Sequence, residues 1–193
     1  MVALLVDNVP GARDRELPCN TTFLDFLASE LLPWARSLYN FTTDPQQTVV
    51  EGSSFGGLAA ACAGLRHSEI FGNVLSQSGS FQWVPPKDGA SDSDTDSEPN
   101  WVAKQFIASP KLPLRFYLDA GSEETDVSGV GNSILPATRT LRDVLRGKGY
   151  EVHFQEFAGG HDYLSWRGTL ADGLIALIGT ARTKAAQEPA PKL

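Results

Sequence analysis

Short apolar, β-branched runs alternate with stretches of helical periodicity along nearly the whole chain. Few architectures accommodate that alternation. VALLV (2–6), QTVVE (47–51), NVLSQS (73–78), LPLRFYLDA (112–120) and EVHFQEF (151–157) read as strands. Asn20 can cap a helix from about Thr21 to Tyr39, with Phe23, Leu27, Leu31, Trp34 and Leu38 on one face and Pro33 kinking or dividing it. The small residues from Phe55 to His67 predict a helix lying close to a sheet, and Ser133 can cap another running to about Gly147. A last helix is expected from Tyr163 to Gly179. Strands alternating with helices predict an α/β fold: a mainly parallel sheet of about five strands, with helices on both faces.

The 193 residues suffice for one core, so a single domain over 1–183 is expected. The acidic, turn-rich stretch PPKDGASDSDTDSEPN (85–100) reads as a surface loop, and 184–193 as a loose tail. The formal net charge of −7 argues against nucleic acid or an anionic membrane surface as partner. No apolar run approaches the roughly 20 residues of a membrane span, and the run at 2–6 is short for a secretory signal. Cys19 and Cys62 make neither a disulfide framework nor a zinc cluster. Cys62, inside AAACAGL, reads as a buried thiol, which implies a reducing, cytoplasmic setting. Oligomeric state leaves no signal in the sequence.

In a parallel sheet, chemistry gathers at the carboxyl ends of the strands. There, Gly52-Ser53-Ser54-Phe55-Gly56 fits G-x-S-x-G, with Ser54 central. The pattern alone is weak; its place after a strand and before a helix gives it weight. Glycines at both flanks would let the backbones approach, and the helix N-terminus would favour developing negative charge at Ser54. A serine nucleophile needs a base. His67 falls at a helix C-terminus and His153 inside a strand, both structural positions, whereas His161 follows the last strand on a Gly-Gly turn. A third, acidic group should come between them in chain order. After LPLRFYLDA, spacing leaves Glu123, Glu124 and Asp126 open, with Asp119 still inside the strand.

Three stretches, ARDRELPCN, EGSSFGGLAAACAGLRHSEIFGNVLSQSGSFQW and FAGGHDYLSWRG, closely resemble the enterochelin (enterobactin) esterases and their esterase relatives, which are α/β-hydrolases. The resemblance implies Ser54 as nucleophile, His161 as base and Glu124 as the acid, with Asp126 in reserve. It implies cleavage of the ester bonds of a cyclic trilactone siderophore in the bacterial cytoplasm. The partner would then be a small ester such as a ferric catecholate; iron would belong to the substrate, and no metal or cofactor to the enzyme. The Phe55 N–H would serve the oxyanion. Trp83 and Trp166 could form an aromatic wall, and Arg15 and Arg167 could meet an anionic substrate.

The family's sheet has a central strand between the counterparts of 2–6 and 47–51, and its loop supplies a second oxyanion donor. Nothing between those stretches corresponds to it, so an N-terminally truncated sheet is expected. Other readings are a broad carboxylesterase, a feruloyl or acetyl esterase, or a binding-only homologue with an incomplete oxyanion hole.

Overall fold

The computed structural model describes residues 1–86, 100–124 and 134–179. After an extended start come α1 (Arg13–Glu16), α2 (Thr21–Phe26), a π-helical turn (Leu27–Leu31), α3 (Leu32–Leu38) and a 3₁₀ turn (Pro45–Gln47). Then follow β1 (Val49–Ser53), α4 (Phe55–Arg66), β2 (Asn73–Gln77), α5 (Trp101–Ala108), β3 (Arg115–Gly121), α6 (Ile134–Gly147), β4 (Glu151–Phe157), α7 (Tyr163–Leu174) and a closing π-helical turn (Ile175–Gly179). The four strands form one parallel sheet in the order β1-β2-β3-β4.

Each strand adds to the same side of the last. Right-handed crossovers that always advance in one direction put their helices on one face. The side chains agree with that rule. Val74, Phe116 and Leu118 share a core with residues of α4, α5 and α6, among them Leu58, Val102, Phe106, Leu141 and Leu145. Their neighbours Leu75 and Tyr117 point to the other face and pack with Leu177, just past α7. The period-2 alternation of the strands thus separates two helical layers.

Several expectations are corrected. Residues 2–6 form no strand; Met1 is 95% exposed and Leu5 97%. The reason lies in the ladder: among the described residues β1 is an edge strand, and an apolar run without a paired neighbour gains neither backbone hydrogen bonds nor a face to bury. Among the described residues the sheet therefore has four strands. The helix at 21–38 forms, but it buries Leu24, Ala28, Leu32 and Ala35, one position round from the larger set, leaving Trp34 and Leu38 exposed. Small residues let the helix approach closely, which outweighs the size of the neighbouring stripe. A π-helical turn ends just before Pro33, where wider winding relieves the clash of the proline ring with the preceding turn. The helix Trp101–Ala108 was not foreseen; eight residues are too few for a periodic signal. The expected cap Ser133 lies outside the described residues, as do 87–99 of the acidic loop and the tail.

Cys62 is not a free thiol. It is bonded to Cys19, with Cα atoms 5.5 Å apart, and this bond ties the segment before α2 to the interior of α4. Across the sheet, Gln77 at the end of β2 holds α7: its Nε2 donates to the Trp166 carbonyl (2.8 Å) and to Thr169 Oγ1 (2.6 Å). Asp119 of β3 lies under the same helix, fully buried. Its Oδ1 accepts the Ser78 N–H at 3.2 Å, while Oδ2 has no partner. Burial pushes this carboxyl up to about 6, against the pull of Thr169, the Ser78 amide and Gln77 and with a further push from the Glu124 charge.

Two outcomes follow for stability. The disulfide closes a separation of 43 residues, so reduction, or Cys62→Ala, should lower unfolding free energy by about 4 kcal/mol in the loop-entropy account. Urea unfolding with and without reductant measures this, and superimposable curves would exclude the bond. For Asp119 the folded value exceeds the ordinary 3.8, so between about pH 4 and 6 the native state binds more protons than the unfolded chain. Stability from this group is present below pH 4 and is lost as pH rises through about 6, by roughly 2–3 kcal/mol. Asp119→Asn should remove that decline relative to wild type in urea unfolding from pH 4 to 7; parallel curves would refute the assignment.

Candidate active site

Ser54 stands alone between the end of β1 and the start of α4. Its backbone has φ 58° and ψ −122°, a region L-residues other than glycine rarely occupy. Hydrogen bonds hold it there. Its N–H donates to the Gln77 carbonyl (2.9 Å), and its own carbonyl accepts from Leu58 N and Ser80 N, both at 3.1 Å. Gly52 is required because a Cβ there would overlap the Gly56 carbonyl group. Gly56 itself has open space around a built Cβ, so its side of the turn is less restricted than the motif suggests. Ser53 remains within β1. The Phe55 N–H is the first of α4 and therefore has no partner from within its own helix.

His161 arrives from the other side. β4 ends at Phe157, the chain turns through Gly159-Gly160, and Asp162 caps α7 by accepting from Leu164 N (2.9 Å) and Ser165 N (3.0 Å). The Ser165 amide holds the Asp162 carboxyl below its ordinary value. The loop after β3 is tied to this turn: Ser122 N donates to the Phe157 carbonyl (2.8 Å) and Glu123 N to the Gly159 carbonyl (3.1 Å). A Cβ on Gly121 would overlap the Gly159 carbonyl oxygen, so the two loops meet only because residue 121 lacks one.

The result is a chain of three side chains. His161 Nε2 lies 2.9 Å from Ser54 Oγ, and Nδ1 lies 3.2 Å from Glu124 Oε2. With its hydrogen on Nδ1, a neutral imidazole donates to Glu124 and accepts from the Ser54 hydroxyl. Glu124 is 1% exposed, whereas Glu123 faces solvent. Asp126 lies outside the described residues. Ser80 Oγ is 3.4 Å from Ser54 Oγ, beyond the usual range of an O–H···O bond.

The remaining candidates are dispersed. Trp166 is 8% exposed, with its indole N–H turned inward to Ser78 Oγ (2.9 Å) and its ring edge-on to His161 at 4.8 Å. Trp83 meets Trp101 edge-on at 5.6 Å and packs on the core. Arg15 and Arg167 are exposed. Arg13, which sequence reasoning passed over, stacks over the Phe55 ring at 5.1 Å, beside the elbow. The other two histidines have structural surroundings: His67 bridges Asp25 (2.8 Å) and Glu69 (3.2 Å), and His153 meets Glu151 (3.1 Å). Among the described residues no group of three or more His, Cys, Asp or Glu is arranged to hold a metal ion, and no helix is long and apolar enough to cross a membrane.

Known proteins resemble the chain in sequence and in fold. Residues 9–177 match the family described as "Putative esterase". The chain is 40% identical over 182 residues to the iron(III) enterobactin esterase of Dickeya dadantii, covering 92% of this chain and 40% of that protein. It is 34% identical over 180 residues to the iron(III) enterobactin esterase of Escherichia coli K12, covering 91% and 41%. The crystal structure of the enterobactin esterase from Shigella flexneri in the presence of enterobactin superposes with a TM-score of 0.72 at 36% identity, over 88% of this chain and 40% of that one. The chain thus spans about two fifths of the length of these relatives. With the family match running over 9–177 of its 193 residues, the chain belongs to this esterase family.

Proposed function

We propose that this chain carries the hydrolytic centre of a serine esterase acting on carboxylic esters through an acyl-enzyme. The single observation behind the reading is the line of contacts from Ser54 Oγ through His161 to Glu124, at 2.9 and 3.2 Å. His161 Nε2 takes the hydroxyl proton as Ser54 Oγ bonds to the ester carbonyl carbon. The carbonyl oxygen becomes an anion, which the Phe55 N–H meets at the positive end of α4. As the tetrahedral centre collapses, the carbon–alkoxy bond breaks and His161 returns its proton to the departing alcohol. Water then repeats the sequence against the acyl-serine, with His161 as base, and releases the acid. Buried Glu124 carries the charge that compensates the imidazolium in both halves.

The substrate class comes from kinship with enterobactin esterases: a cyclic trilactone catecholate, with iron as cargo. Arg15 and Arg167, both solvent-facing, are the proposed cationic contacts for such an anion, and Trp83 the proposed aromatic one. Trp166 spends its indole N–H on Ser78, so its contribution is internal. The kinship carries a cytoplasmic setting into the reading, although the Cys19–Cys62 bond is of a kind more at home in an oxidising compartment.

Ser54→Ala and His161→Ala should each lower p-nitrophenyl butyrate hydrolysis by roughly 10⁴-fold or more, and Glu124→Gln by roughly 10²–10⁴-fold. Equal rates for wild type and Ser54→Ala would end the triad assignment. For the substrate, mass spectrometry should find enterobactin opened by addition of water in a Ser54-dependent way. Hydrolysis of simple esters with enterobactin left intact would point instead to a broad carboxylesterase.

A further inference from the structure

Glu124 is anchored more firmly than the contact with His161 requires. Its Oε2 faces His161, while Oε1 receives two donors: the Gly121 N–H at 3.0 Å and the Ser78 hydroxyl at 2.5 Å. Ser78 Oγ in turn lies 2.9 Å from Trp166 Nε1. An indole N–H can only donate. Ser78 Oγ must therefore accept from Trp166, and its single hydrogen is left for Glu124. That assigns the direction of each bond: Trp166 donates to Ser78, Ser78 donates to Glu124, and Oε2 is left to accept from the Nδ1–H of His161.

The hydroxyl is held there at a conformational cost. Ser78 is fully buried and has φ 47°, in the region that favours glycine. Its backbone is held in place by the Asp119 carbonyl, which its N–H reaches at 3.0 Å. Glycine would relieve the backbone there but would lose the donor. Trp166 acts at both ends of the chain of contacts, since the same indole that donates to Ser78 stands perpendicular to the His161 ring, with centroids 4.8 Å apart. A glutamate side chain has three rotatable torsions; two donors on one oxygen and a fixed imidazole on the other remove that freedom.

We infer that Ser78 and Trp166 are positioning residues of the triad, orienting the Glu124 carboxylate and through it the Nδ1–H tautomer of His161. The inference rests on the triad reading. It separates from that reading in an experiment on the 193-residue chain, using the rate at which a fluorophosphonate probe labels Ser54. Alanine at 78 keeps the Cβ and the backbone strain and removes only the hydroxyl. Ser78→Ala should slow labelling about 10–100-fold, the worth of one charge-assisted hydrogen bond. Placed on Glu124→Gln, it should slow labelling no further, because the residue acts only through that carboxylate. The low-field Nδ1–H resonance of His161 should shift or broaden in Ser78→Ala. Trp166→Phe keeps an aromatic edge without the N–H and should show the same pattern more weakly; it serves as the deciding variant if Ser78→Ala does not fold. Labelling at the wild-type rate, or a loss that adds in full to that of Glu124→Gln, would overturn the inference while leaving the triad intact. A wild-type chain unlabelled at Ser54 would overturn the triad reading and this inference with it.

Discussion

The parallel register of four strands, all ending on one side, is the constraint from which the rest of the site follows. Ser53, Gln77 and Asp119 are aligned across β1, β2 and β3, and Gly121 pairs with Phe157 of β4. Because every crossover returns the chain to the same end, the next residues of each strand are neighbours by default. Ser54, Ser78, Glu124 and His161 lie one to four residues beyond that line. No long loop is needed to gather them. The cost of ordering the site is therefore met by the sheet ladder, whose hydrogen bonds form anyway.

The second requirement is that the loops at that end be stiff. Each is locked to its neighbour by backbone bonds: Ser54 to Gln77, Ser78 to Asp119, Ser122 to Phe157 and Glu123 to Gly159. Of the four described non-glycine residues with positive φ, Cys19, Ser54, Ser78 and Asn100, two lie in this seam, Ser54 and Ser78. Strain of that kind persists only where surrounding contacts over-determine the backbone. Here the surrounding contacts are the sheet's own continuation, which links a structural seam directly to the geometry of the side chains it carries.

What the sequence disclosed was set by how local the signal was. The elbow at 52–56 and the turn at 159–161 are contiguous motifs, so Ser54 and His161 stand out in the sequence as candidates by themselves. Glu124 could not be separated from Glu123 and Asp126 by spacing, because its selection depends on Gly121 meeting Gly159, a contact between two loops. Ser78 was hidden for the same reason: QSGS follows a strand, but nothing local shows that its second residue faces a glutamate 46 positions on. The Cys19–Cys62 bond was missed because counting cysteines gives no distance between them. The strand expected at 2–6 failed in the opposite way. Its composition is right for a strand, yet composition supplies no neighbour, and a strand exists only as part of a ladder.

Buried polarity explains why the core on the α7 side is so unlike the core on the other. The face carrying α4, α5 and α6 is packed with Leu, Phe, Val and Ala. Beneath α7, by contrast, the sheet presents Gln77 and Asp119 close to the loops of Ser78 and Glu124, all nearly or fully buried. Hydrophobic residues of similar size would stabilise that layer, since buried polar groups return little net free energy even when paired. Their presence has a positional logic. Gln77 fixes α7 through Trp166 and Thr169; α7 carries Trp166; and Trp166 reaches both His161 and the serine that holds Glu124. Removing the polar layer would free the helix to settle by packing alone, which tolerates shifts that hydrogen bonds of 2.5–2.9 Å do not. The polar layer thus lies behind one carboxylate and one imidazole, and the buried Asp119, its carboxyl pushed up to about 6 by burial, bears a desolvation cost there.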